Sequence, residues 1–355
     1  MAETAADMYS LGGMLRALTE PLDRIAIRSA TRSVRCGTGP ATHLKEAEEV
    51  LARADFFGPA EVAPARPEFS SRTSFHFPSA ISTPWDENNV VWGKFFRTGR
   101  NWQKDPAVLL VHGWNGELGY YWQFPLLAEL LRLRGINCAM IELPYHGRRR
   151  PRQAGAINNF ISHDLLSMLN ATRQAVIDCR AVLAWLHEQG SRPVVVWGIS
   201  LGAWLAGLIA VHERLLRFTV LMSPVVRLDH AIRDLPFCEP IRQSLAGRPF
   251  DVARLNLLSH RPFCGSEGVL LIESIHDLFA SVESVEELWR AWGTPEIWRL
   301  PHGHISILMS PSAMLRTIGW IKRTIRAAAL SEKPEIEAAS KHGGLGTARP
   351  TFPGK

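Results

Sequence analysis

Ser200 is the residue of this chain best placed to do chemistry. It sits in Gly198-Ile199-Ser200-Leu201-Gly202, between the β-branched run Pro193-Val194-Val195-Val196-Trp197 and the small-residue stretch Ala203-Trp204-Leu205-Ala206-Gly207. A serine hydroxyl becomes a nucleophile when a tight strand-to-helix turn lifts it clear of its neighbours and a base takes its proton. Glycines at 198 and 202 leave room for such a turn, where a Cβ would strike neighbouring backbone. The helix after Ser200 aims its positive end at the oxygen of an attacked carbonyl. The base is a histidine, and the histidine needs an orienting carboxylate. Downstream, Asp277 lies at the tip of the loop after Leu270-Leu271-Ile272-Glu273. His304 lies in Leu300-Pro301-His302-Gly303-His304, at the start of the closing helix. Ser200, Asp277 and His304 are therefore the candidate catalytic residues. The oxyanion of a tetrahedral intermediate needs two N–H donors in a site with little water. Leu201 supplies one amide, and the loop His112-Gly113-Trp114 supplies the other, near Trp114.

Other residues compete for these roles. Asp229 lies beyond the preceding strand, Glu273 falls inside a strand, and His276 is a loop residue beside Asp277. His302 rivals His304, but Gly303 and the start of a helix favour His304. His112 reads as a residue bracing its loop rather than one that moves protons. Arg148, Arg149, Arg150 and Arg152 follow the C-terminal end of a strand, the edge where sites of α/β sheets open. Guanidinium groups there could hold a phosphate or carboxylate of a substrate, with Arg148, Arg149 and Arg152 as candidate substrate-binding residues. A solvated surface cluster is the competing reading.

The elements that must position these residues alternate. Strands are expected at 73–77, 90–97, 107–111, 136–143, 193–199, 216–222, 268–273 and 296–300, and helices at 118–134, up to 189 from a cap at Ser162 or Asp164, 282–292 and 304–329. Alternation of this kind specifies an α/β fold, a mainly parallel sheet covered by helices on both faces, with an antiparallel pair at one edge. Residues 224–266 contain short amphipathic pieces between prolines. An excursion of that length between two sheet strands predicts a small helical cap over the site, supplying Leu235, Phe237, Leu245 and Leu257. Residues 1–65 read as a helical N-terminal arm, with Met8, Leu11, Met14, Leu15 and Leu18 at helical spacing, and 66–330 as the α/β domain. From Ser331 the chain turns polar and rich in Gly and Pro, and a disordered tail is expected over 331–355.

Composition narrows the classes. The net charge of +6 is mild and spread along 355 residues, which implies no nucleic-acid partner. The five cysteines, Cys36, Cys138, Cys179, Cys238 and Cys264, make no C-x-x-C pair and no zinc spacing, as expected of thiols in a reducing, cytoplasmic setting. No signal peptide and no spanning segment are expected, and no metal or organic cofactor is implied. Arg16 and Arg24 flank the first helix and leave room for peripheral membrane contact, without a strong basic face.

Together the turn at Ser200, the His-Gly loop, Asp277 and His304 make residues 70–330 resemble the α/β-hydrolase superfamily. A narrower likeness lies in Glu142-Leu143-Pro144-Tyr145-His146-Gly147-Arg148-Arg149-Arg150-Pro151, Asp164-Leu165-Leu166, Gly198-Ile199-Ser200-Leu201-Gly202 and Gly303-His304-Ile305-Ser306. These look like the α/β-hydrolase domain-containing protein 18 family, although Leu201 and Ala203 stand where that family tends to have Met and Gly. The resemblance implies a serine hydrolase of the esterase or lipase type acting on a small-molecule or lipid-like acyl ester. Two rivals stand beside it: an acyltransferase with the same residues, and an inactive binding protein that kept the fold.

Overall fold

A run such as Ala107-Val108-Leu109-Leu110-Val111 is tolerated only where both faces of a strand are covered. In the computed structural model it forms a fully buried strand, as do Asn137–Ile141 and Val194–Ile199 beside it. The structure describes residues 11–34, 43–152, 160–162 and 164–342, without the side chains of 11–14 and 331–342. Met8, Cys36 and residues 343–355 of the expected tail lie outside them. Numbered along the chain, the strands are Glu68–Phe69 (β1), Ser74–Pro78 (β2), Val90–Phe96 (β3), Ala107–Val111 (β4), Asn137–Ile141 (β5), Val194–Ile199 (β6), Leu216–Met222 (β7), Val269–Ser274 (β8) and Glu296–Leu300 (β9). They form one sheet in the order β1-β2-β3-β5-β4-β6-β7-β8-β9. β1, β2, β3 and β5 pair antiparallel, and every pairing from β5 through β4 to β9 is parallel. This is the α/β architecture expected, with the antiparallel strands at one edge.

Two helices precede the sheet, Leu11–Ser33 (α1) and Leu44–Ala52 (α2). Within it come Phe124–Arg132 (α3), Leu165–Glu188 (α4), Leu201–Ala210 (α5), Leu228–Asp234 (α6), Glu239–Leu245 (α7), Val282–Ala291 (α8) and His304–Leu308 (α9). Asp164 caps α4 by accepting the N–H groups of Leu166 and Ser167, and Gly190 just beyond it has φ +102°. The helix expected over 118–134 instead opens with a π-helical turn, Gly119–Gln123, before α3. Pro125 has no N–H to give to an i−4 carbonyl, so the preceding turn closes in a wider register.

The helix expected over 304–329 is two helices. Pro311 cannot donate to the previous turn and instead opens a new helix. The second helix, Pro311–His342 (α10), extends past Ser331, where the tail was expected to begin. Its end includes Glu335-Ile336-Glu337-Ala338-Ala339, rich in good helix formers. Among the described residues no helix is long and apolar enough to cross a membrane.

Candidate active site

β6 ends at the sheet's middle and delivers Ser200 onto a turn with φ 58° and ψ −122°. A side chain with a Cβ is strained there, and strain of this kind persists where the surroundings over-determine it. Here both glycines do so. A Cβ on Gly198 would come within 2.0 Å of the Gly202 carbonyl oxygen, and one on Gly202 within 2.2 Å of the Val111 carbonyl oxygen. The turn is thus pressed between α5 and the end of β4, and Ser200 Oγ is lifted above the sheet.

His304 and Asp277 arrive from neighbouring strand ends, β9 and β8. His304 Nε2 lies 2.7 Å from Ser200 Oγ, and its Nδ1 lies 2.7 Å from Asp277 Oδ2. Asp277 Oδ1 accepts the N–H groups of Phe279 (2.7 Å) and Ala280 (2.8 Å), which fixes the carboxylate's plane. The Phe279 ring stacks on the His304 imidazole at 4.6 Å. Burial disfavours a charged His304, but the charge and hydrogen bond of Asp277, with a further contribution from Asp23, outweigh it and raise its pKa.

The competitors lie elsewhere. Asp229 is engaged by Arg227 (2.8 Å) and Asn256 (2.8 Å) on the cap. His302 Nδ1 faces Ser306 Oγ at 3.2 Å, and His276 Nδ1 faces Thr19 Oγ1 at 3.3 Å. Glu273 faces Arg299 at 3.5 Å, and burial pushes its carboxyl up to about 7.

The His112-Gly113-Trp114 loop lies against the serine. A Cβ on Gly113 would come within 3.2 Å of Ser200 Cβ. Leu201 is the first residue of α5, so its N–H has no partner within the helix. Two histidines brace the loop. His112 Nε2 accepts the Leu143 N–H (3.0 Å), which leaves Nδ1–H to donate to the Gly113 carbonyl (2.7 Å). Burial pushes its pKa down to about 4, so it stays neutral. His146 Nε2 accepts the Asn115 N–H (3.1 Å), and its Nδ1–H donates to the Pro144 carbonyl (2.8 Å). Nothing in the sequence around His146 signals this role. Only its position between two loops reveals it.

A cavity of about 490 Å³ opens above Ser200. Its walls are largely apolar, including Leu228, Ile232, Leu235, Phe237 and Ile241 from the excursion after β7. Trp114 and Phe237 close one side, with ring centroids 5.2 Å apart. Of the cap residues expected there, Leu245 and Leu257 do not line the cavity. Leu257 is fully buried under α5, where its side chain fills the notch at Gly207. The helical arm does reach the site: Ala26, Ser29 and Ala30 of α1 are part of the wall.

The arginine cluster stands corrected. Arg149 is fully buried, paired with Asp178 at 2.9 Å and bonded to the carbonyls of Asn88 and Glu142. A guanidinium saturated in this way has nothing left for a substrate. Arg148 lies over the Trp92 ring, Arg150 pairs with Glu117 at 2.7 Å, and Arg152 is exposed; none of them lines the cavity.

A serine on a strained turn after a middle strand, in a mostly parallel sheet, sets one class of α/β fold apart from other doubly wound sheets. Comparison with known families places the chain in that class: residues 108–339 match the model of the alpha/beta hydrolase family, and the chain belongs to it. The match is to the broad family and does not reach the domain-containing protein 18 group. A sequence relative is the uncharacterized protein Rv2627c of Mycobacterium tuberculosis, 32% identical over 216 residues, or 58% of this chain and 51% of the relative. The chain thus spans about half the length of the curated relatives it matches. Among solved structures, the esterase Pf2001 of Pyrococcus furiosus superposes with a TM-score of 0.50 at 18% identity, over 75% of this chain and 98% of that one. The alpha/beta hydrolase GrgF from Penicillium sp. sh18 has a TM-score of 0.50 at 14% identity, over 72% and 99%. At these identities the likeness speaks for the fold.

Proposed function

We propose that this protein is a serine hydrolase that cleaves a carboxylic ester or thioester with an apolar, lipid-like acyl group. The observation that carries the reading is the relay from Ser200 Oγ through His304 to Asp277, with both contacts at 2.7 Å, beneath a largely apolar cavity. His304 Nε2 takes the Ser200 proton as Oγ attacks the carbonyl carbon. The Leu201 and Trp114 N–H groups hold the oxyanion. The C–O or C–S bond then breaks, and His304 returns the proton to the leaving oxygen or sulfur. Water, deprotonated by His304, releases the acid and restores Ser200. Asp277 keeps the Nδ1–H tautomer throughout and offsets the imidazolium charge. With the arginine cluster turned away from the cavity, a neutral acyl chain rather than an anionic headgroup suits the walls.

The test joins a fluorophosphonate probe with nitrophenyl esters graded in chain length. Labelling that disappears in Ser200→Ala, with hydrolysis that rises with acyl length, is expected. A wild-type protein that neither reacts with the probe nor hydrolyses any ester would end this reading in favour of a binding role.

A further inference from the structure

We infer that Asp23, on the N-terminal helix, is a positioning residue that fastens both the acid loop and the histidine loop of the active site. The inference rests on the assignment of Ser200, His304 and Asp277 as the reacting set. Asp23 is fully buried. Its Oδ2 accepts the N–H of Leu278 (3.1 Å), next to Asp277, and the N–H of His304 itself (2.8 Å). Its Oδ1 accepts the N–H of Ile305 at 2.8 Å.

These bonds solve a local problem. α9 begins at His304, and the first N–H groups of a helix have no partner within it. The N-cap position is Gly303, which has no side chain to offer. Ser306 Oγ takes the N–H of Gly303 (2.9 Å) and leaves those of His304 and Ile305. Asp23 serves them from 281 residues away in the chain. Gly303 leaves the space for it: a Cβ there would stand 2.9 Å from Asp23 Oδ2.

A buried carboxylate is costly unless hydrogen bonds and favourable dipoles surround it. Here three backbone N–H groups do so, and the charge stays close to an imidazole that becomes cationic during the reaction. The N–H groups it holds belong to the catalytic histidine, its successor, and the residue after the catalytic acid. Where α1 goes, the Ser200–His304–Asp277 geometry must follow. The same helix supplies Ala26, Ser29 and Ala30 to the cavity wall, so the arm is part of the site and not packing outside it.

The experiment uses the full chain with Asp23→Asn, Asp23→Glu, Gly303→Ala and, as a control on the same helix, Glu20→Gln, whose partners are Arg16 and Arg24. The readouts are kcat and KM for a nitrophenyl ester, the pH profile of kcat/KM, and thermal melting. An amide can accept two of the three bonds at most and turns an N–H toward a donor. Asp23→Asn is expected to lower kcat about a hundredfold with KM nearly unchanged, the size of effect expected from misplacing a reacting group. Its acid limb should move to lower pH, because an anion beside His304 is gone. Asp277 is the other charged group that acts on His304; it, the Glu20 pairs with Arg16 and Arg24 on α1, and His276 and His302 on the loops are all unchanged by the substitution. Asp23→Glu should recover part of kcat and keep the limb in place. A folded Asp23→Asn protein with wild-type kcat and an unmoved acid limb overturns the inference. If that variant does not fold, Gly303→Ala decides, because it displaces the carboxylate and keeps its charge. A slowed reaction of Ser200 with fluorophosphonate supports the inference, and a wild-type rate refutes it. A wild-type chain that never reacts with the probe refutes instead the hydrolase reading on which the inference stands.

Discussion

On the proposed reading, whether His304 serves as the base at Ser200 comes down to which ring nitrogen carries a proton. Nδ1–H of His304 is committed to Asp277, so Nε2 is free to accept only while the ring is neutral. The two acidic neighbours hold its pKa above the ordinary histidine value of about 6.5. Protonated His304 cannot take the Ser200 proton, so kcat/KM should rise with pH and level off only above that value. A pH series on a neutral nitrophenyl ester checks this, and a plateau already reached at pH 6 would contradict it. Asp277→Asn should lower kcat on the order of 10³–10⁴-fold, by leaving the wrong tautomer in place. The arginines separate in the same way. Arg149→Ala strands Asp178 in a buried site and should cost about 3–5 kcal/mol of stability. Arg148→Ala with Arg152→Ala should change the urea midpoint little and leave kcat/KM for any ester within about twofold, because exposed charges away from the cavity contribute little. A large loss of activity in that double variant would return the cluster to the substrate site.

At the scale of elements, the excursion after β7 supplies much of the cavity's apolar wall. α6, α7 and the turn between them turn Leu228, Ile232, Leu235, Phe237 and Ile241 toward Ser200. Each methylene of an acyl chain buried against such walls is worth about 0.8 kcal/mol. Ile232→Trp fills space that a long chain would use. It should cut kcat/KM for a long-chain nitrophenyl ester at least tenfold and leave the acetate ester almost unchanged. Equal losses for both would mean that the cap orders the catalytic residues and does not measure the chain. That α1 is a helix was legible, but Leu18 of its expected apolar stripe is exposed, and the inward reach of Asp23 was not legible. A single acid in an amphipathic helix carries no local signal of what it will meet.

At the scale of the whole molecule, two buried histidines and the half-buried His212 bear on how the fold responds to acid. Burial pushes His112 and His212 down to about 4, and His146 is lowered as well. Unfolded histidines titrate near 6.5, so between about pH 6.5 and 4 the unfolded chain binds protons that the folded chain refuses. These three histidines therefore withdraw stability as pH falls through that window, against Glu273 and His304, whose raised pKa values act in the opposite sense. His212 isolates the effect. It stacks on Phe57 at 4.2 Å, and among the described residues its Nε2 has no hydrogen-bond partner. His212→Phe keeps the stack and removes one titration. Urea midpoints at pH 7.5 and pH 5 should lie closer together in this variant than in wild type. An identical spread would show that His212 plays no part in the acid response.

What the sequence determined by itself was whatever depends on near neighbours. Continuous β-branched runs needed both faces covered, which made a mainly parallel sheet. Gly198 and Gly202 flanked a serine at a strand end, and Asp277 and His304 followed the ends of the last two strands in turn. Those features follow from local sterics and from the period of apolar residues, and both are written along a few residues at a time. The tertiary structure alone decided where long side chains end. Four neighbouring arginines look alike in the sequence, yet Arg149 turns inward to Asp178 because α4 passes beneath it. Leu257 looked like a cap residue and instead fills the notch at Gly207. Asp23 meets His304 only because α1 packs against α9, a contact between the two ends of the domain. Such destinations depend on which distant surface packs opposite, and no local pattern of residues encodes that surface.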